Sequence, residues 1–251
     1  MNLLTLGIVG GAFLAGFIQG LSGFAYALIA TTIWVWFVEP KILVPLVLSS
    51  SLVGQIATTH AVGSHISMAR VSPFLIGALV GVPIGVSIFH MIDANTFRVA
   101  TGVILIVYCS VMLLIPGVHK VAIGGRASDT AVGVVSGVMG GLGGLSGPAP
   151  VIWCALRGWD KDVQRATFQP LFILVSVLTL LLYAVAGDIT ADILRMLAIV
   201  APVVLVSSWL GTRVYRRLPE QAFRQTLLLL LLLSGVTLVL PMLVGVFGGN
   251  L

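Results

Sequence analysis

One tetrapeptide occurs twice: Gly20-Leu21-Ser22-Gly23 recurs as Gly144-Leu145-Ser146-Gly147, 124 positions later in a chain of 251 residues. Both copies interrupt long apolar stretches, where glycine's conformational freedom breaks a helix. A helix that restarts after such a break presents unpaired backbone N–H groups and the positive end of its dipole, a ready place for an anion. The restarts fall near Phe24 and Pro148, and proline suits a first helical turn because its missing donor is not needed there. Ser22 and Ser146 add hydroxyl donors at the same tips. The chemistry on offer is therefore binding of a small anion. For either motif alone the competing reading is close packing of apolar helices through small residues; the matched pair favours a site.

A second polar feature follows the first break. Ser49, Ser50, Ser51, Gln55, Thr58, Thr59 and His60 lie on one stretch, with Ser51, Gln55 and Thr58/Thr59 sharing a helical face. The second half offers Gln169, Ser176 and Thr179. Hydrogen bonding between helices explains these residues as well as substrate contact does. Arg157, Lys161 and Arg165 either steer an anion towards one mouth or are ordinary basic loop residues, the latter being the preferred reading. The candidate binding set is Gly20, Ser22, Gly23, Phe24, Ser50, Ser51 and Gln55, with Gly144, Ser146, Gly147, Pro148, Arg165 and Gln169 in the second half. No catalytic group, cofactor or metal is expected. His60, His65, His90 and His119 fall near helix ends, and no two share a helix at ligand spacing. Cys109 and Cys154 sit in apolar runs and read as buried thiols.

The elements that must position these residues are membrane helices. Charged residues are 8% of the chain and hydrophobic ones 59%, against about 25% charged in soluble domains. A mean hydropathy of +1.15 agrees. Soluble, disordered and disulfide-rich secreted classes are thereby excluded, and the net charge of +5 reads as basic cytoplasmic loops rather than nucleic-acid binding. Six runs are long enough to cross a bilayer: 42–62, 71–92, 99–118, 166–186, 193–212 and 225–247. The stretches 6–38 and 130–156 are each expected to be two half-helices of about 10 to 15 residues, joined by a glycine elbow near the bilayer midplane. Trp34, Trp36, Trp153 and Trp159 stand near their ends, and at least some of them are expected to be interfacial anchors. No Lys or Arg precedes Glu39, so the first run lacks the basic region of a signal peptide and is expected to stay.

All eight acids (Glu39, Asp93, Asp129, Asp160, Asp162, Asp188, Asp192 and Glu220) lie at helix ends or in loops. Cation-driven pumps usually keep carboxylates inside the membrane. A cation would find no negative partner here, whereas an anion meets no repulsion.

Lys41 with Pro45-Leu46 and Arg165 with Pro170-Leu171 extend the repeat. The chain therefore reads as one domain, 1–251, of two similar halves: about 5–118 and 129–248, joined by a basic linker at 119–128. Each half is a broken or re-entrant helical hairpin plus three transmembrane helices, in an all-α polytopic membrane protein. Interrupted apolar segments at matching places in two halves point to a transporter's binding site. If each broken segment returns to the side it entered, Lys and Arg divide ten against three across the membrane; if each crosses once, nine against four. Both counts put the 157–165 and 213–224 loops in the cytoplasm and both termini outside. The first makes the halves inverted repeats and is preferred.

Phe17-Ile18-Gln19-Gly20-Leu21-Ser22-Gly23-Phe24 resembles the first signature of the TauE/SafE sulfite exporter family. Ser146-Gly147-Pro148-Ala149-Pro150, Arg157-Gly158 and Arg165-Ala166-Thr167 resemble its second, and the likeness extends over nearly the whole chain. The chain departs from the pattern at Ala25, at Thr31-Thr32 and at the interrupted prolines Pro148-Ala149-Pro150. The resemblance implies a bacterial inner-membrane permease for sulfite, sulfonates, sulfoacetate or similar anions, with the two elbows lining the site. A passive anion channel and a permease for a non-sulfur carboxylate are the alternatives. Expected partners are a small anionic substrate and the lipid bilayer, with no nucleic acid; a homodimer is left open.

Overall fold

The first apolar stretch folds as two helices, α1 (Leu3–Ser22) and α2 (Tyr26–Trp34), in a computed structural model that describes residues 3–59, 66–114 and 125–215. Positions 228, 231, 232, 235, 236 and 238–240 are also described, and are helical. The break has a local cause. Gly23 takes φ +84°, a left-handed conformation that costs residues with a Cβ about 1–2 kcal/mol. The Ser22 hydroxyl donates to the Ile18 carbonyl at 2.8 Å and accepts the amides of Phe24 and Ala25 at 3.4 and 3.2 Å. One side chain thus finishes α1 and begins α2. In the second stretch α6 (Arg126–Gly143) ends on Gly144 at φ +73°, and α7 (Pro148–Leu156) starts on its proline.

Both breaks are U-turns. A Cβ on Gly7 would lie 3.2 Å from the Phe37 ring, and one on Gly11 would strike Trp34, so the chain after the first turn runs back beside α1. At the second, Trp153 Nε1 and Arg157 Nη1, at the end of α7, donate to Asp129 Oδ1 in the first turn of α6 at 2.8 and 3.0 Å.

Two expectations are corrected. The arms are unequal: α1 and α6 have 20 and 18 residues, while α2 and α7 have 9 each. A 20-residue helix is about 30 Å long, well beyond the roughly 10 to 15 residues expected of each arm. Gly20, Gly140, Gly141 and Gly143 of the motifs stay helical, packed against side chains or against neighbouring backbone. A Cβ on Gly20 would collide with the Ser208 carbonyl, and one on Gly141 would meet that of Val82. The turn glycine is also the last of the first tetrapeptide but the first of the second. In addition, Trp34 is no interfacial anchor: it is fully buried, whereas Trp36 is 53% exposed.

The remaining helices are α3 (Pro40–Thr59), α4 (Met68–Met91), α5 (Ala94–Leu114), α8 (Lys161–Ala186) and α9 (Ala191–Tyr215). No strand occurs among the described residues. Among the described residues, six helices (α1, α3, α4, α5, α8 and α9) are long and apolar enough to cross a membrane. Five of them, α3, α4, α5, α8 and α9, match the expected runs at 42–62, 71–92, 99–118, 166–186 and 193–212 with shifted ends. Residues 60–62 and 115–118, and most of 225–247, lie outside the described residues, as does much of the 119–128 linker, whose last residues already belong to α6.

α1 lies along α9, α6 along α4, and α3 against α8. The α4–α6 seam is built from glycine at four-residue spacing, Gly77, Gly81 and Gly85 facing Gly133, Gly137 and Gly141. A Cβ at any of the six would meet the partner's backbone. Lipid supplies no hydrophobic drive between helices, so close backbone approach holds such a pair together. Outward-facing side chains such as Ile76, Val80, Leu181 and Val206 are apolar and exposed, as a lipid-facing surface requires.

Candidate functional site

α8 builds one side of the site. Arg165, Phe168, Gln169 and Phe172 recur at three- and four-residue spacing, hence on one face, and all are buried. Arg165, a member of the candidate set that could also have been an ordinary basic loop residue, is 6% exposed. It packs on the first elbow: a Cβ on Gly23 would lie 3.1 Å from its Nε and 3.4 Å from its Cγ and Cδ. The glycine is needed here for space as well as for its dihedral angle.

The next residue joins the hairpins. The Phe24 ring meets Phe168 and Tyr108 edge-on, with centroids 5.9 and 6.3 Å away. A Cβ on Gly147 would lie 2.9 Å from Phe24 Cδ2. The two hairpin tips therefore abut at Phe24 and Gly147, with the Arg165 guanidinium beside the first. Gly144 rests on Val47 and Leu48 of α3.

Alongside runs a buried polar belt centred on α3. Gln19 Nε2 donates to the Ser51 carbonyl at 3.1 Å, and Gln55 Nε2 to Ser51 Oγ at 2.9 Å. From α8, Gln169 Nε2 reaches the Gln55 carbonyl, Thr58 Oγ1 and Thr59 Oγ1 at 3.0, 3.1 and 3.3 Å. The belt ties the first hairpin to α8 through α3.

Not every candidate residue reaches the junction. Gly20 faces the α9 backbone. The Ser50 hydroxyl donates to the Leu46 carbonyl at 2.6 Å, back along its own helix. The Ser22 hydroxyl is engaged within its own elbow. At the second tip, Pro148 and Pro150 carry no N–H, and the Val151 amide goes to the Gly147 carbonyl at 3.1 Å. Ser146 accepts the Ser136 hydroxyl on its carbonyl at 2.7 Å. The second tip thus offers few helix-start amides, whereas α2 begins with the amides of Tyr26, Ala27 and Leu28; the charged group beside the first tip is the Arg165 guanidinium. Sequence reasoning passed over Gln19, Tyr108 and Phe168. Gln19 had a signal, standing next to the first motif; Phe168 had one in its spacing from Arg165; Tyr108 had none.

Asp129 is the buried acid among the described residues, and its carboxylate is held by Trp153 and Arg157. Arg157 and Arg70 also lie over the Trp159 ring, 4.8 and 5.6 Å from its centroid. Asp129 thus clips the open end of the second hairpin. Asp129→Asn is expected to lower folding stability by about 2 kcal/mol, the range for hydrogen bonds to a charged group, read as a fall in the unfolding midpoint in detergent. At the opposite end His90, on α4, holds Asp188 at 2.7 Å. His60, His65 and His119 lie outside the described residues. No group of His, Cys, Asp and Glu that could hold a metal occurs among the described residues.

A family model described as "Sulfite exporter TauE/SafE" matches residues 8–238. The chain is 26% identical over 181 residues to a protein of Cupriavidus necator named "Probable sulfite/organosulfonate exporter TauE", covering 70% of each chain. No solved structure matches.

Proposed function

The chain belongs to the sulfite exporter TauE/SafE family, a family of membrane transporters, and from that premise we propose a secondary transporter that moves sulfite or an organosulfonate across the bacterial inner membrane. The observation that carries the reading is the junction of the two hairpin tips at Phe24 and Gly147, with the buried Arg165 against Gly23. A guanidinium matches an oxyanion by paired, charge-assisted hydrogen bonds, and its strength rises where water is excluded.

The halves act as inverted repeats in this reading. Exchanging α1 for α6, α3 for α8 and α4 for α9 turns the α1–α9 and α3–α9 contacts into the α6–α4 and α8–α4 contacts, and both pairs of contacts occur. The two U-turns support the division of basic residues in which each hairpin returns to its own side, nine against three once the buried Arg165 is set apart, with both termini outside. Rocking one hairpin unit against the other about the shared tips would open the anion first to one side and then to the other.

Flux of labelled sulfite, sulfonates and small carboxylates into reconstituted vesicles, with and without a pH gradient, tests this. Saturable counterflow of a sulfur anion is expected. Counterflow of carboxylates alone would move the substrate out of the sulfur class, flux without exchange stimulation would make the protein a channel, and flux at the level of empty vesicles would remove the reading.

A further inference from the structure

Gln169 carries an acceptor that the fold fixes and leaves unused. Its Nε2 faces three acceptors: the Gln55 carbonyl and the hydroxyls of Thr58 and Thr59. A carbonyl can only accept. The Thr58 hydroxyl directs its hydrogen to the Gly54 or Gln55 carbonyl at 3.0 or 3.2 Å, and the Thr59 hydroxyl to the Gln55 carbonyl at 2.8 Å. Both hydroxyls therefore accept from Gln169. Turning the carboxamide over would set oxygen against the Gln55 carbonyl and draw both threonine hydroxyls off their helix carbonyls, so Nε2 is favoured on this side and Oε1 on the other. Oε1 is left without a hydrogen-bond partner, on a side chain 1% exposed. An unsatisfied buried acceptor is destabilising and calls for an explanation. Gln169 stands one helical turn beyond Arg165 on the same face of α8. A cation able to hold an oxyanion and a residue with an unused acceptor thus share one face of α8, a turn apart.

Resting on the transport reading above, we propose that Gln169 recognises a hydrogen carried by the substrate, so that the preferred cargo is an oxyanion bearing its own O–H or N–H donor: hydrogen sulfite, or a hydroxy- or aminoalkanesulfonate. A donor-free sulfonate leaves Oε1 unpaired in the bound state, whereas a donor-bearing one satisfies it. A site built to bond a substrate hydrogen rejects the analogue that lacks it.

The test uses two sulfonates of equal heavy-atom count, 2-hydroxyethanesulfonate and propane-1-sulfonate, as competitors of labelled counterflow in vesicles containing the full chain. The wild type is expected to favour the hydroxylated compound by about tenfold or more. Gln169→Met, close in volume and lacking the carboxamide, should bring the ratio to about one, and the ratio does not depend on how much folded protein each preparation holds. Should Gln169→Met fail to fold, Thr59→Val, which frees one of the three amide contacts, is expected to shrink the ratio without removing it. Equal inhibition of the wild type by both sulfonates overturns the inference and leaves the transport reading standing, as does a variant that keeps the wild-type ratio. No sulfur anion moved or bound overturns both.

Discussion

Arg165→Gln is expected to lower the initial rate of anion counterflow at least about a hundredfold, with the protein still folded and monodisperse. The substitution keeps much of the side-chain length and its packing against Gly23, but removes the charge and the planar fork. Hydrogen bonds to a charged group are worth about 1.5–3 kcal/mol each, and a bidentate oxyanion uses two, so a loss of about 3 kcal/mol or two decades is the lower bound. Arg165→Lys should fall between: it restores charge as a point rather than a fork, and its shorter reach from α8 leaves the ammonium less well placed beside Gly23. Rates within tenfold of wild type in the glutamine variant, measured per folded protein, would mean that the buried guanidinium is structural.

The largest effect on folding is expected at the α4–α6 seam. Gly81→Ala adds one methyl group, yet that methyl falls on the Val134 carbonyl, which is helix backbone and cannot rotate aside. The helices must separate along a seam where all six facing glycines touch backbone, and overpacking of this kind costs about 3 kcal/mol. Gly10→Ala is the matched control, because a Cβ there meets nothing within 4 Å. Alanine's better helix propensity should make that variant neutral or up to about 1 kcal/mol more stable. Unfolding midpoints in detergent, or the monodisperse fraction on size exclusion, separate the two. A Gly81→Ala protein as stable as the Gly10→Ala one would show that the seam is not held by backbone contact.

The helices were legible because crossing the hydrocarbon demands long uncharged runs, and the runs in 71–92 or 193–212 admit no other structure. The glycine breaks were legible for the same reason, since a stretch such as 6–38 is too long for one crossing. The lengths of the hairpin arms were not. A glycine reads in sequence as a breaker, but whether Gly20 turns the chain or stays helical depends on α9 lying against it, a contact between residues nearly 190 positions apart. Arg165 stood in the candidate set, but its burial was hidden for a related reason. Between Arg157 and Thr167 it looks like one more basic residue of a cytoplasmic loop, and only the return of the first hairpin, which sets Gly23 on its side chain, places it inside. The direction of the Gln169 carboxamide is set by two threonine hydroxyls on another helix, which no local pattern encodes.

The claim on which the rest depends is that substrate binds where the hairpin tips meet. Substrate protection of a single thiol there tests it most directly. In a background with Cys109 and Cys154 replaced by alanine, Phe24→Cys is reacted with a membrane-impermeant thiol reagent in oriented vesicles, with and without sulfite or 2-hydroxyethanesulfonate. The expected result is labelling from either side of the membrane, slowed from both by saturating substrate and not by chloride. Labelling at one unchanged rate, whatever anion is present, in a variant that still transports would place the site elsewhere.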